Sequence, residues 1–169
     1  MIRMMFRKDI RDLRNYGFSI ENVNSHESRF HAIYFLDNLT GTLLLSKKYT
    51  NNSEFSSNED LISGFLNALN LFIKEIKSKS TEDEIQEINF QETRLMYARK
   101  ERLLVIAITK KTNLQIERGI LNEIVNDFFT RFEYSINHFN GIIDPQIKLY
   151  KKRLDTINLN TLFKFQNRF

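Results

Sequence analysis

The sequence predicts an α+β fold whose elements run strand–strand–helix, then three strands, then two helices, behind an N-terminal helix. Three stretches carry that reading. Phe30–Leu45 alternates as a hairpin about Asn38–Gly41, and its first strand is apolar on both faces. Leu61–Ile76 has the 3.6-residue period of a long apolar helix. Leu103–Ile108 is an unbroken apolar strand, and two segments of helical period follow it.

Taken in chain order, Ile2, Met5, Phe6, Ile10, Leu13 and Tyr16 share one helical face, with Arg3, Arg7, Arg11 and Arg14 beside it. Gly17 ends that helix, and the polar stretch Ser19–Ser28 connects it onward. The strand Phe30–Asp37 sets Phe30, Ala32, Tyr34 and Leu36 on one face and His31, Ile33 and Phe35 on the other. Apolar residues on both faces imply cover on both sides of the sheet. Thr42–Tyr49 returns as the second strand, and Thr50–Ser57 is a polar loop. Ser57 or Asn58 caps the next helix, with Glu59 and Asp60 complementing its dipole.

In this helix Leu61, Phe65, Ala68, Leu69, Phe72 and Ile76 form the main stripe. Ile62, Leu66 and Ile73 widen it to an arc of roughly 160°, more than a surface helix needs to bury. Ile62, Leu66 and Ile73, with Leu71, are therefore the candidate protein interface. Ile85–Gln91 and Arg94–Arg99 read as weaker strands, and Arg102–Lys110 as the strongest strand and the expected sheet centre. Thr112 and Gln115 have the spacing of a capping box. The helix they open carries Leu121, Val125, Phe128, Phe132, Ile136 and Phe139, and Gly141 stops it. Asp144-Pro145 is an N-cap and first-turn pair for a last helix bearing Ile147, Tyr150, Leu154 and Ile157. The chain thus divides into an N-terminal amphipathic helix and linker (1–29), a folded domain (30–157), and a tail or helix extension (158–169).

With 169 residues, 41% of them hydrophobic and 27% charged, the chain has the size and composition of one globular domain. No apolar run approaches the roughly 20 residues that span a bilayer, and the opening residues lack a secretory apolar core. The absence of cysteine excludes disulfides, thiolate zinc sites and cysteine nucleophiles. The chain reads as cytoplasmic, which makes the sequons at Asn38 and Asn51 silent.

The net charge of +4 is uneven. Residues 1–14 carry +3 and residues 147–169 carry +5, so the chain between them is −4. Basic termini on an acidic body do not make the basic stripe that nucleic-acid binding wants. They suit contact with an anionic membrane or an acidic protein surface, for which Arg3, Arg7, Arg11 and Arg14 are the candidates.

Motifs that carry chemistry are missing. There is no phosphate-binding glycine loop, no HExxH and no GxSxG. His26, His31 and His138 share no metal-ligand spacing, so no metal and no cofactor is expected. The acidic run at Glu82, Asp83, Glu84 and Glu87 reads as a solvated loop, and Glu117, Arg118 and Glu123 read as helix surface. No nucleophile, base and orienting group share a place, and the chain is expected not to be an enzyme.

The element order over residues 30–157 resembles the longin domain. So do the local runs Ile33-Tyr34-Phe35-Leu36-Asp37, Asn38–Gly41 and Leu43-Leu44-Leu45. The helix from Asp60 to Leu69 and the hairpin Arg94–Ile108 look similar to stand-alone longin-like proteins of archaea. The resemblance implies a five-stranded antiparallel sheet with one helix on one face and two on the other, a longin/profilin-like sandwich of the SNARE-like group. It implies an adaptor that dimerises and binds or regulates a small GTPase or a vesicle-trafficking complex. No catalytic residue carries over. The helix before the first strand is nearer the roadblock arrangement, so a roadblock-like GTPase-regulator subunit is the alternative reading. A membrane-surface module using the basic N-terminus, peripheral at the membrane, is another.

Overall fold

The structure, a computed structural model, describes residues 28–49, 59–76, 86–157 and 159, and within 59–76 the side chains at 64–69, 71, 72 and 75. The expected N-terminal helix, the Thr50–Ser57 loop and all but Leu159 of the tail lie outside them. Eight elements follow one another: β1 (Phe30–Asp37), β2 (Leu43–Lys48), α1 (Glu59–Ile76), β3 (Glu87–Asn89), β4 (Thr93–Lys100), β5 (Leu103–Lys110), α2 (Leu114–Asn137) and α3 (Pro145–Asp155). The strands form one antiparallel sheet in the order β2-β1-β5-β4-β3. An α+β fold with a five-stranded antiparallel sheet agrees with the sequence reading. The apolar strand expected at the centre, β5, occupies it, with β1 alongside.

Two cores sandwich the sheet. On one side Ile33, Phe35, Met96, Leu103, Val105 and Ala107 meet Ile120, Leu121, Ile124, Val125 and Phe128 of α2 and Ile147, Tyr150 and Leu154 of α3. On the other side Ala32, Tyr34, Leu36, Leu95, Tyr97, Leu104 and Ile106 meet Leu66, with Leu69 packed against them. Both faces of β1 and β5 are thus dry, which is why neither strand alternates apolar with polar.

Phe30 departs from the alternation. It belongs to the α2 side with Ile33 and Phe35, not to the Ala32 side. The β1–β5 register shifts between Phe30 and Ala32. An extra residue in one strand of a pair turns the side chains beyond it to the opposite face.

The start of α2 also differs from its expected capping. Asn113, not Thr112, is the N-cap, and its side chain accepts from Ile116 N. Glu117, expected on the helix surface, is fully buried. Its Oε1 accepts from Thr112 N at 3.1 Å, Asn113 N at 3.1 Å and Thr112 Oγ1 at 2.7 Å. Its Oε2 accepts from Arg94 Nη1 at 2.7 Å and Thr109 Oγ1 at 3.3 Å. The carboxylate therefore ties β4, β5 and the first turn of α2 together, and Thr112 is occupied by this bond instead of capping. For α3 the expected cap holds: Asp144 accepts from Gln146 N, with Pro145 in the first turn.

Between α2, α3 and β1 lies an aromatic stack. Phe128 sits 4.4 Å from Phe35 and 4.9 Å from both Phe132 and Tyr150, ring centre to ring centre. Tilted and edge-on arrangements like these add to the burial of large apolar area.

Candidate functional site

The placement of α1 begins in the β1–β2 turn. Asp37 ends β1 with no solvent exposure. Its Oδ1 accepts from Arg102 Nε at 2.5 Å, and its Oδ2 from Arg102 Nη2 at 3.2 Å, Thr40 N at 2.9 Å and Thr40 Oγ1 at 2.5 Å. Burial opposes the Asp37 charge, but the bonds from Arg102 and Thr40 outweigh it and hold the carboxyl below its ordinary range. The turn so fixed ends at Gly41, whose N–H donates to Asp37 O at 2.7 Å. Gly41 has φ +74°, and a Cβ there would lie 2.2 Å from Cγ of Asn67 on α1. Glycine alone satisfies both the torsion and the close approach.

Passing close to Gly41 at Asn67, α1 rests one edge of its apolar arc on the sheet. Leu66 is 2% exposed and joins the core, and Leu69 packs against it. The other edge faces outward: Phe65 is 60% exposed, Leu71 54% and Phe72 62%. Gly64, Ala68 and Glu75 are exposed with them. At 100° per residue these six positions fill an arc of roughly 120° centred opposite Leu66. Glu75 is the one charge in it. Exposed large apolar side chains grouped on one helix face mark an interaction surface more than scattered ones do.

The other concentrations of polar groups have internal partners. Asp127 on α2 accepts from Arg153 Nε and Nη2, both at 2.8 Å, from Tyr150 OH at 2.8 Å and from Arg131 Nε at 3.2 Å. Burial first, and then the charge of Asp127, push the Tyr150 hydroxyl well above the usual tyrosine range. A cleft of about 430 Å³ opens beside this cluster, but both of its arginines already bond Asp127. His138 caps the end of α2, its ring stacked on Tyr134 at 4.3 Å. His31 is buried in β1. Among the described residues no three His, Asp or Glu side chains converge as a metal site, and no helix is long and apolar enough to cross a membrane.

The sequence-derived interface divides on this geometry. Leu71 lies on the outer face, and Leu66 lies in the core beneath the helix, out of a partner's reach. The side chains of Ile62 and Ile73 lie outside the described residues, as do Arg3, Arg7, Arg11 and Arg14. Phe65, Ala68 and Phe72, assigned by periodicity to the buried stripe, face outward instead. The physical reason is the width of the arc. A helix resting on a sheet buries about 100° of its circumference, and the sheet takes the Leu66–Leu69 edge. The excess width is real and falls on the phenylalanine edge. Compared with known proteins, the chain matches no family model and no curated protein.

Proposed function

We propose that this chain is a non-enzymatic protein-interaction module, a longin-like adaptor acting in the cytoplasm. In this reading it dimerises with a second longin- or roadblock-type domain and binds or regulates a small GTPase or a trafficking-type complex. One observation carries the reading: α1 turns Phe65, Leu71 and Phe72 outward on a helix whose other edge is fixed to the sheet. A helix with an apolar outer face is what a groove or a facing helix on a partner recognises. The buried charges support it by their saturation, because Glu117 and Asp37 are each held by three or more donors and serve packing.

The test is capture from native cytosol by the immobilised full-length chain, with bound proteins identified by mass spectrometry. A small GTPase, or a homologue of longin or roadblock type, is the expected catch. Recovery of neither, from chain whose folding is verified by circular dichroism, sinks the reading.

A further inference from the structure

We propose that α3 docks on an anionic lipid leaflet through Lys148, Lys151 and Lys152. The proposal goes beyond the adaptor reading and stands without it.

Two observations select this face and this partner. The first is uncompensated charge. The three lysines are exposed, and at 100° per residue they fall within an arc of about 100° on α3. None of them has a hydrogen bond or an ion pair. Among the residues whose side chains the structure describes, every other lysine and arginine has a partner. Arg153, next in the helix, is committed to Asp127 through both Nε and Nη2. Asp155, the acid on the lysine side of α3, is held by Lys47 of β2. Three positive charges therefore stand together on one helix face with no counter-charge assigned to them. An anionic surface supplies it.

The second is the type of cation. A fixed carboxylate or phosphate is best gripped by the planar arginine fork, whereas lysine is a hydrated point charge on a flexible stem. Protein–protein interfaces are correspondingly enriched in arginine and depleted in lysine. The arginines beside this face, Arg131 and Arg153, turn inward to Asp127, and the outward positions are lysine. Mobile lipid headgroups ask for no single geometry, and each lysine near an anionic leaflet strengthens binding about fivefold. Three together are worth about a hundredfold.

Placement keeps this face separate from the one on α1. Helix α3 packs on the sheet side that carries Ile33 and Phe35, and α1 on the side that carries Ala32 and Tyr34. A leaflet at the lysines leaves Phe65, Leu71 and Phe72 uncovered.

Co-sedimentation of the full-length chain with vesicles tests this. Wild type should bind phosphatidylserine-rich vesicles, release them as salt is raised, and leave pure phosphatidylcholine vesicles alone. Lys148→Gln/Lys151→Gln/Lys152→Gln should bind about a hundredfold more weakly, with an unchanged urea midpoint showing that it folds. Lys148→Arg/Lys151→Arg/Lys152→Arg keeps the charge and should keep the binding. Equal binding by wild type and the glutamine variant overturns the proposal, as does absence of binding by wild type or loss of binding in the arginine variant. Binding lost instead from Arg3→Gln/Arg7→Gln/Arg11→Gln/Arg14→Gln moves the lipid contact to the N-terminus and overturns it too. An acidic protein captured from cytosol by wild type but not by the glutamine variant, with no vesicle binding by either, gives the face to protein and also overturns it. Failure of vesicle binding leaves capture through α1 untouched, and failure of that capture leaves vesicle binding untouched.

Discussion

Replacing Glu117 by leucine should be among the most damaging substitutions in this chain. The carboxylate is fully buried and accepts five hydrogen bonds, one from Arg94, whose side chain is 11% exposed. Removing it strands an arginine charge and two backbone N–H groups at the β5–α2 junction. Breaking a buried pair on one side costs about 3–5 kcal/mol, and unmet backbone donors add to that. For a domain of this size each kcal/mol lowers the melting temperature by about 2–4 °C, so a fall of roughly 6–20 °C is expected. Urea denaturation gives the free energy directly from midpoint and slope. Glu133→Gln, at an exposed position of the same helix, should stay within about 0.5 kcal/mol of wild type. Pairing Glu117→Leu with Arg94→Met should cost less than the two singly, with a coupling of about 1–3 kcal/mol. A loss below about 1 kcal/mol for Glu117→Leu, or strict additivity with Arg94→Met, would refute the assignment of this carboxylate to the junction.

Three further outcomes follow from the same geometry. Gly41→Ala should destabilise by about 1–3 kcal/mol through its torsion alone; adding Asn67→Ala should recover the steric part but not the remainder, as thermal melts would show. Asp37 has a native pKa below its ordinary 3.8, so its stabilisation is complete above the unfolded value and is lost as pH falls through the lower native one; Asp37→Asn should be less stable near neutrality and show a flatter acid limb in urea midpoints taken from pH 6 to pH 2. Leu66→Ala should cost about 2–5 kcal/mol as a cavity in the core, whereas Leu71→Ala should cost under about 1 kcal/mol; equal costs would reverse the inner and outer edges of α1.

Strands were legible where their composition left no choice. β1 is apolar without a break from Ala32 to Leu36 and β5 from Leu103 to Ile108, and inner positions of a covered sheet are where such runs fit. The bulge that sends Phe30 to the α2 side was not legible, because a register shift depends on the partner strand and leaves no mark in the shifted one. Nor was the burial of Glu117. Its donors come from β4, β5 and the turn before α2, and no local spacing announces a bond between positions 94 and 117. Thr112 and Asn113 are both good caps; the choice between them was made by Glu117 taking the threonine.

On α1 the width of the apolar arc was legible and its orientation was not. Periodicity places Phe65, Ala68, Leu69 and Phe72 in the main stripe and Ile62, Leu66 and Ile73 at its widened edge, whereas the structure buries Leu66 and turns Phe65 and Phe72 outward. In the structure the helix is rotated so that Leu66 enters the core and Asn67 closes on Gly41, an approach between residues 26 apart that periodicity does not announce.

The most direct test of the account compares three full-length chains in the same capture experiment: wild type, Leu71→Asp/Phe72→Asp, and Leu149→Asp on the exposed side of α3. Matched urea midpoints would establish that all three are equally folded. The account predicts that a small GTPase or longin-type partner is retained by wild type and Leu149→Asp and lost from Leu71→Asp/Phe72→Asp. Equal retention by all three would contradict it, because the outer face of α1 would then have no part in recognition.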